Sequence, residues 1–362
     1  MILQQPFSRI PVFIFLYLCS SMFPMNVQSK NESFSTNLQN VSFDIQREQD
    51  YYQTDSMVGH THRPNAKRTY SWPEHESGRI IMRTNNLGFR EDKDTLVVKS
   101  KGVSRILVVG DSHTDGVVYN NESFPNLLED LLNTDMSRKK FEVLNGGTGY
   151  YGPHNYFLFL KKYLFLKPDI FIITLYMGND FLDALRHIGE FNTNTTTYEN
   201  SLVRASSINP PAVSQGLNQV YFLKTHPDEI EKALQVVEGV IVNMVKLCEA
   251  NHIMFICVIL PTKLDVEWDS DKEGFRDIKS ALNLTDDDLL FNGYLRSKLI
   301  FWFDQVNIMY VDIADTMKSS SGPFFWSTDH HLNKRGHQLV AHKIFEFFLN
   351  EFEKTPLVHT QK

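Results

Sequence analysis

The chain is poor in cysteine. Three in 362 residues, Cys19, Cys248 and Cys257, exclude a small disulfide-built scaffold. Cys248 and Cys257 fall near a helix end and inside a strand pattern. They read as two buried thiols, with a bridge between them open only in an oxidising compartment. Dense runs of lysine and arginine are also missing. With 36 basic residues against 43 acidic ones and a formal charge of -7, the surface is not that of a general nucleic-acid binder. No internal repeat occurs. Apart from residues 10–19, no stretch is apolar enough to cross a membrane. The acidic run from Asp265 to Asp288 fits no calcium-loop spacing, so a solvated face is its plain reading and no metal or cofactor is expected.

What remains is an ordinary globular composition, 42% hydrophobic and 22% charged, with 27 phenylalanines available for an aromatic core. The length suits one large α/β domain or two smaller ones. Arg9 precedes the apolar residues 10–19, and Val27-Gln28-Ser29 offers a small-residue cleavage site. Residues 1–29 therefore read as a signal peptide or an uncleaved anchor. The expectation is export, periplasmic or extracellular, with membrane attachment only through that segment. Asn31, Asn40, Asn121, Asn194 and Asn283 head Asn-x-Ser/Thr triplets, which matter only in a glycosylating host.

Residues 30–95 form an N-terminal arm. Its first half is polar and without period, and a short strand is expected at residues 79–83. Asn86-Leu-Gly88-Phe-Arg90 looks like a turn that delivers an aromatic and a cation to the body of the protein, Arg90 being either packed or substrate-facing. The main domain spans residues 96–353. Strand patterns at 105–109, 141–145, 169–176, 253–260 and 306–311 alternate with helical ones at 123–134, 153–166, 227–250, 287–303 and 334–353. That alternation predicts a three-layer α/β/α sandwich around a mainly parallel five-stranded sheet. Residues 186–226 and 262–286 interrupt the rhythm as insertions, the first a candidate lid or binding loop. Residues 354–362 are a tail.

Four polar segments fall at the carboxyl ends of predicted strands. They are Gly110-Asp111-Ser112-His113, Asn145-Gly-Gly-Thr-Gly149-Tyr150-Tyr-Gly152, Met177-Gly178-Asn179-Asp180, and Thr328-Asp329-His330-His331 running on to His337. In a parallel sheet these ends share one edge, so distant turns meet in one crevice. A hydroxyl, a loop of backbone donors, an amide and an Asp–His pair are the parts that acyl transfer needs.

These blocks, in this order over roughly residues 100–352, resemble the SGNH (GDSL-like) hydrolase superfamily. The resemblance implies a flavodoxin-like sheet and a catalytic triad. Ser112 would be the nucleophile, His331 the general base and Asp329 its orienting acid. The oxyanion hole would use the backbone N–H of Ser112, that of Gly149 and the Asn179 side chain. Asp111 would brace the nucleophile turn. Members often place the acid three residues before the histidine, which here is Thr328. Asp329, two residues before, follows the spacing of sugar-acetylating relatives. His331 is chosen over His330 because Leu332-Asn333 and Gly336-His337 follow it. His330 and His337 then read as packing or substrate-rim residues. Counted from Asn145, the family's glycine falls closer to Tyr150, so Tyr150 is the alternative to Gly149. The implied activity is a serine esterase acting on O-acyl esters, O-acetyl included, of carbohydrate or lipid. An O-acyltransferase acting on a polysaccharide and a non-catalytic carbohydrate-binding module stay open. Metal ligation by His330, His331 and His337 would leave Ser112 and Asn179 without a role.

Overall fold

The computed structural model describes residues 50–135, 140–187, 213–267 and 273–354. The N-terminal segment 1–29, most of the arm's polar half and residues 188–212 of the first insertion lie outside the described residues. In chain order, two hairpins come first: β1 (Tyr52–Asp55) with β2 (Gly59–His62), then β3 (Lys67–Ser71) with β4 (Arg79–Arg83). The domain follows as β5 (Val103–Val109), α1 (Ser112–Asp115), α2 (Phe124–Asp135), β6 (Lys140–Asn145), α3 (Pro153–Tyr163), β7 (Ile170–Tyr176) and α4 (Asp180–His187). Next come α5 (Ser214–Thr225), within the first insertion, then α6 (Glu229–Ala250), β8 (Met254–Leu260), α7 (Lys263–Glu267), α8 (Glu273–Leu282), α9 (Asp286–Leu289) and α10 (Phe291–Val306). Then β9 (Tyr310–Asp312), α11 (Ala314–Ser319) and α12 (Lys334–Lys354) close the chain.

The sheet is all parallel, in the order β6-β5-β7-β8-β9. Every residue of β7 and all but the first of β5 and β8 are buried, as expected for strands covered on both faces. Alternate side chains divide between two cores. Leu107, Val109, Phe171, Ile173 and Leu175 pack with α3, α4, α6 and α10. Ile106, Val108, Phe141, Val143, Ile172 and Val258 pack with α2, α11 and α12. The period-2 alternation of a strand makes this split unavoidable. Cys248 and Cys257 are both free and buried. Among the described residues no helix is long and apolar enough to cross a membrane.

The sheet order reverses at β5, which has β6 on one side and β7 on the other. That switch point opens a crevice at the carboxyl ends of the strands. Three of the four polar blocks leave from β5, β6 and β7.

Two expectations need correction. The arm carries four strands rather than one. Tyr51, Tyr52, Ile80 and Met82 build a small core with Val118 and Trp326, so the arm is packed onto the site. The polar look of Gly59–His62 hid this, because His60, Thr61 and His62 are buried polar residues. The insertions are also more helical than their polarity suggested. Val213, Leu217 and Val220 pack with Leu264, Ile278, Leu282 and Leu289 into a satellite core. The second insertion is therefore only outwardly a solvated face.

Candidate active site

The nucleophile turn is over-determined. A side chain at Gly110 would put its Cβ 2.1 Å from Thr114 Oγ1, so nothing larger than glycine fits. Asp111 caps the single turn of α1, its carboxylate accepting from the His113 N–H at 2.8 Å. Burial, opposed by that bond, pushes the Asp111 carboxyl up to about 7. Gly116, at φ 82, ends the turn where its N–H reaches Ser112 O. Ser112 is thus presented at a helix start, half-buried, and its own N–H has no acceptor among the described residues.

The last block meets it from the far side of the sequence. His331 Nε2 lies 2.8 Å from Ser112 Oγ. Asp329 Oδ1 accepts from the His331 backbone N–H at 2.8 Å and lies 2.5 Å from Nδ1. That pairing sets the tautomer, with Nδ1–H on the acid side and an Nε2 lone pair for the serine hydroxyl. Burial works against charge on the imidazole, but the Asp329 bond and charge prevail and raise the His331 pKa. Burial likewise opposes the Asp329 anion, and His331 holds it well below the usual carboxylate range. The loop is gripped from outside. Glu74 of the arm accepts from the Ser327 and Thr328 N–H groups at 2.6 and 3.0 Å and from the Thr328 hydroxyl. Lys263 Nζ donates to Trp326 O at 2.6 Å. Thr328, at the more usual acid position, is bound to Glu74 instead of the histidine.

The oxyanion candidates sit on the two neighbouring strand ends. The loop 146–152 is wedged against α1, since a Cβ at Gly147 would meet the Asp115 backbone N at 2.2 Å. Its N–H groups are mostly committed: Gly146 to Val108 O, Thr148 to Gly110 O, Tyr151 to Thr148 O, Gly147 to Asn145 Oδ1 and Gly152 to Asn155 Oδ1. The Gly149 N–H has no acceptor among the described residues. The next residue, Tyr150, is held at φ 67 and is half exposed. The Asn179 side chain stands just past β7, where Nδ2 donates one hydrogen to Asp183 Oδ2 at 2.7 Å.

Sequence reasoning missed the layer beneath α1. Asp115, fully buried, is held by Arg90 Nη1 at 3.0 Å and His62 Nε2 at 3.2 Å. Burial would raise its pKa, but His62 and Arg90 together lower it. Arg90 also donates to Asn120 Oδ1, Gly116 O and Val118 O, each at 3.0 Å. The Asn86–Arg90 turn therefore does deliver a cation to the body, in a packed role. His60, buried and pushed down to about 4 chiefly by burial, donates from Nε2 to Gly149 O at 2.8 Å. A pairing of arm histidines with the glycine loop has no sequence signature.

The remaining histidines separate. His337 is buried, with Nδ1 accepting from the Phe124 N–H at 3.2 Å, as a packing residue would. His330 stays beside His331, their ring centroids 4.2 Å apart. The trio weighed as metal ligands does not gather. Among the described residues it is His113, not His337, whose ring nitrogen approaches those of His330 and His331 within 4.8 Å.

No protein-family model and no curated protein matches the sequence. Solved structures similar in fold include the acetyl xylan esterase AlAXEase, at 16% identity over 67% of this chain and 98% of that one, with a TM-score of 0.39. A GDSL-like lipase from Bacteroides thetaiotaomicron matches at 13% identity, 68% and 89% coverage and a TM-score of 0.35. A catalytic variant of the acetylxylan esterase Axe2 from Geobacillus stearothermophilus matches at 13%, 69% and 95%, with a TM-score of 0.40. At such distances the chemistry of this chain has to come from its own site.

Proposed function

We propose that this protein is a serine esterase that hydrolyses O-acyl esters. The observation that carries the reading is the continuous hydrogen-bonded chain Ser112–His331–Asp329, assembled from residues 219 positions apart at the carboxyl edge of a parallel sheet. Ser112 Oγ attacks the acyl carbon while His331 Nε2 takes its proton. Asp329 holds the ring in that tautomer and stabilises the imidazolium that forms. His331 then protonates the leaving alcohol, leaving an acyl-serine. A water enters, gives its proton to His331 and attacks the acyl carbon in turn, releasing the acid.

The negative oxygen of each tetrahedral intermediate needs donors that are unused in the resting state. The uncommitted N–H groups of Ser112 and Gly149 and the second Nδ2 hydrogen of Asn179 meet that requirement. Each such donor is worth roughly 10²–10³ in kcat. The experiment is hydrolysis of p-nitrophenyl acetate and butyrate by the wild type and by Ser112→Ala. The variant should lose the activity. A rate unchanged by the substitution refutes the serine mechanism. Running acetylated xylan and short acyl lipids with and without free sugar acceptors then separates carbohydrate from lipid esters and hydrolysis from transfer.

A further inference from the structure

An asparagine amide can serve an oxyanion only if its nitrogen, not its oxygen, faces the reacting centre. The two ends are nearly the same shape, so something chemical must select the orientation. Asp183 supplies that selection. Its carboxylate accepts only, and it lies 2.7 Å from Asn179 Nδ2. The flipped amide would set its oxygen against a carboxylate. One Nδ2 hydrogen is thereby used, and the other has no acceptor among the described residues. Asn179 Oδ1 is left buried without a partner. That orphaned oxygen is a cost the fold tolerates while the nitrogen stays fixed.

The spacing makes the arrangement rigid. Asn179 immediately precedes α4, and the Asp183 N–H closes the first helical turn onto Asn179 O at 2.9 Å. The same residue also borders the other donor element. A Cβ on Gly152 would lie 2.8 Å from Asp183 Cβ, so the glycine loop closes directly against this side chain. Its charge is the remaining difficulty, because an anion beside a forming oxyanion opposes the reaction. Arg186, one turn further on, meets Asp183 Oδ1 at 2.6 Å. Asp183 is half a salt bridge and half an amide lock.

We propose that Asp183 is a positioning residue that orients the Asn179 amide and seats the glycine loop, with Arg186 offsetting its charge. The proposal rests on the esterase reading. It predicts that kcat, not KM, responds. Asp183→Ala should lower kcat roughly 30- to 100-fold, less than the ~10²–10³ for losing an oxyanion donor outright, because the amide stays and only its orientation is freed. Asp183→Asn loses that selection, because an amide donates as readily as it accepts, and it should lower kcat by a similar factor. Asn179→Ala with Asp183→Ala should be no slower than Asn179→Ala alone, because both remove the same interaction. Arg186→Gln, on a side chain 43% exposed, should cost several-fold in kcat and cost nothing in the Asp183→Asn background. It keeps the test alive if Asp183→Ala does not fold. Multiplicative losses at 179 and 183, or an Arg186 effect that persists in the Asp183→Asn background, overturn the proposal. So does a wild-type kcat in Asp183→Ala when Ser112→Ala is dead. Activity that survives Ser112→Ala overturns the esterase reading and this inference with it.

Discussion

Replacing Arg90 by leucine should loosen the arm from the domain at a large cost in stability. The guanidinium is fully buried and makes four bonds at 3.0 Å, to Asp115, Asn120, Gly116 O and Val118 O. Leucine fills part of the volume and satisfies none of them. Asp115 would keep only His62 Nε2 and the Tyr52 hydroxyl as side-chain partners among the described residues. Breaking a buried ion pair from one side costs about 3–5 kcal/mol, and each orphaned oxygen adds to it. Against a total stability of about 5–15 kcal/mol this is a large fraction. At roughly 2–4 °C per kcal/mol it lowers Tm by roughly 6–20 °C. Urea unfolding followed by the fluorescence of the four tryptophans measures it directly. Arg83→Leu is the control, since its contact with Asp92 is 4.0 Å long and both side chains are more than half exposed. That variant should change stability by less than about 0.5 kcal/mol. Adding Asp115→Asn to Arg90→Leu should recover part of the loss, because the uncompensated charge is gone. An Arg90→Leu variant within about 1 kcal/mol of wild type, at an unchanged m value, would refute the account of the arm as integral.

His331→Ala should abolish esterase activity while His330→Ala leaves most of it; the reverse ranking in a steady-state assay would move the base to His330. Because His331 must be neutral to accept a proton and its pKa is raised from 6.5, the acid limb of kcat/KM should lie above that ordinary histidine value. Asp329→Asn removes the main cause of the rise, so the limb should move to lower pH as kcat falls roughly 10²–10⁴-fold; a limb that stays in place argues against Asp329 as the partner. Glu74→Ala releases the backbone of Ser327 and Thr328 from an exposed carboxylate. It should reduce kcat several-fold with Tm nearly unchanged, and a pure stability loss would make Glu74 a structural clamp only.

The sheet was legible because buried parallel strands announce themselves as apolar runs. Residues 105–109 and 169–176 needed no partner to be recognised. Ser112 was legible for a related reason, since it directly follows one of those runs. Asp329 and His331 do not, because α11 lies between β9 and their loop, and they were read from the pattern of the block itself. Short strands without an apolar face were not legible. Gly-His-Thr-His at residues 59–62 is buried in the structure, yet nothing local says that Asp115 and Gly149 O wait to bind its histidines. Asp183 was hidden differently, since an acidic residue in the first turn of a helix is what the helix dipole favours anyway. Its bond to Asn179 becomes visible only when both atoms have positions.

The crevice gathers more carboxylates than one proton transfer needs. Asp329, Asp111 and Asp115 raise the His331 pKa, while Asp111, Asp180 and Asp183 act on one another. Four of them are occupied elsewhere. Arg90 and His62 hold Asp115, and Arg186 holds Asp183. Tyr156 O–H and the Tyr176 N–H bind Asp180, whose pKa is raised first by burial and then by Asp111 and Asp183. Asp111 caps α1. Only Asp329 presents its carboxylate to the ring of His331. The imidazolium formed in the reaction is thus met by one dedicated anion, while the rest set a background. That background is adjustable. Asp115 is among the charges that raise the His331 pKa, and Arg90 is what offsets it. Removing Arg90 should therefore push the acid limb of kcat/KM to higher pH as well as lowering stability, and Asp115→Asn in the same chain should bring the limb back down. A limb indifferent to both would mean that the arm supports the fold of the site without tuning its charge.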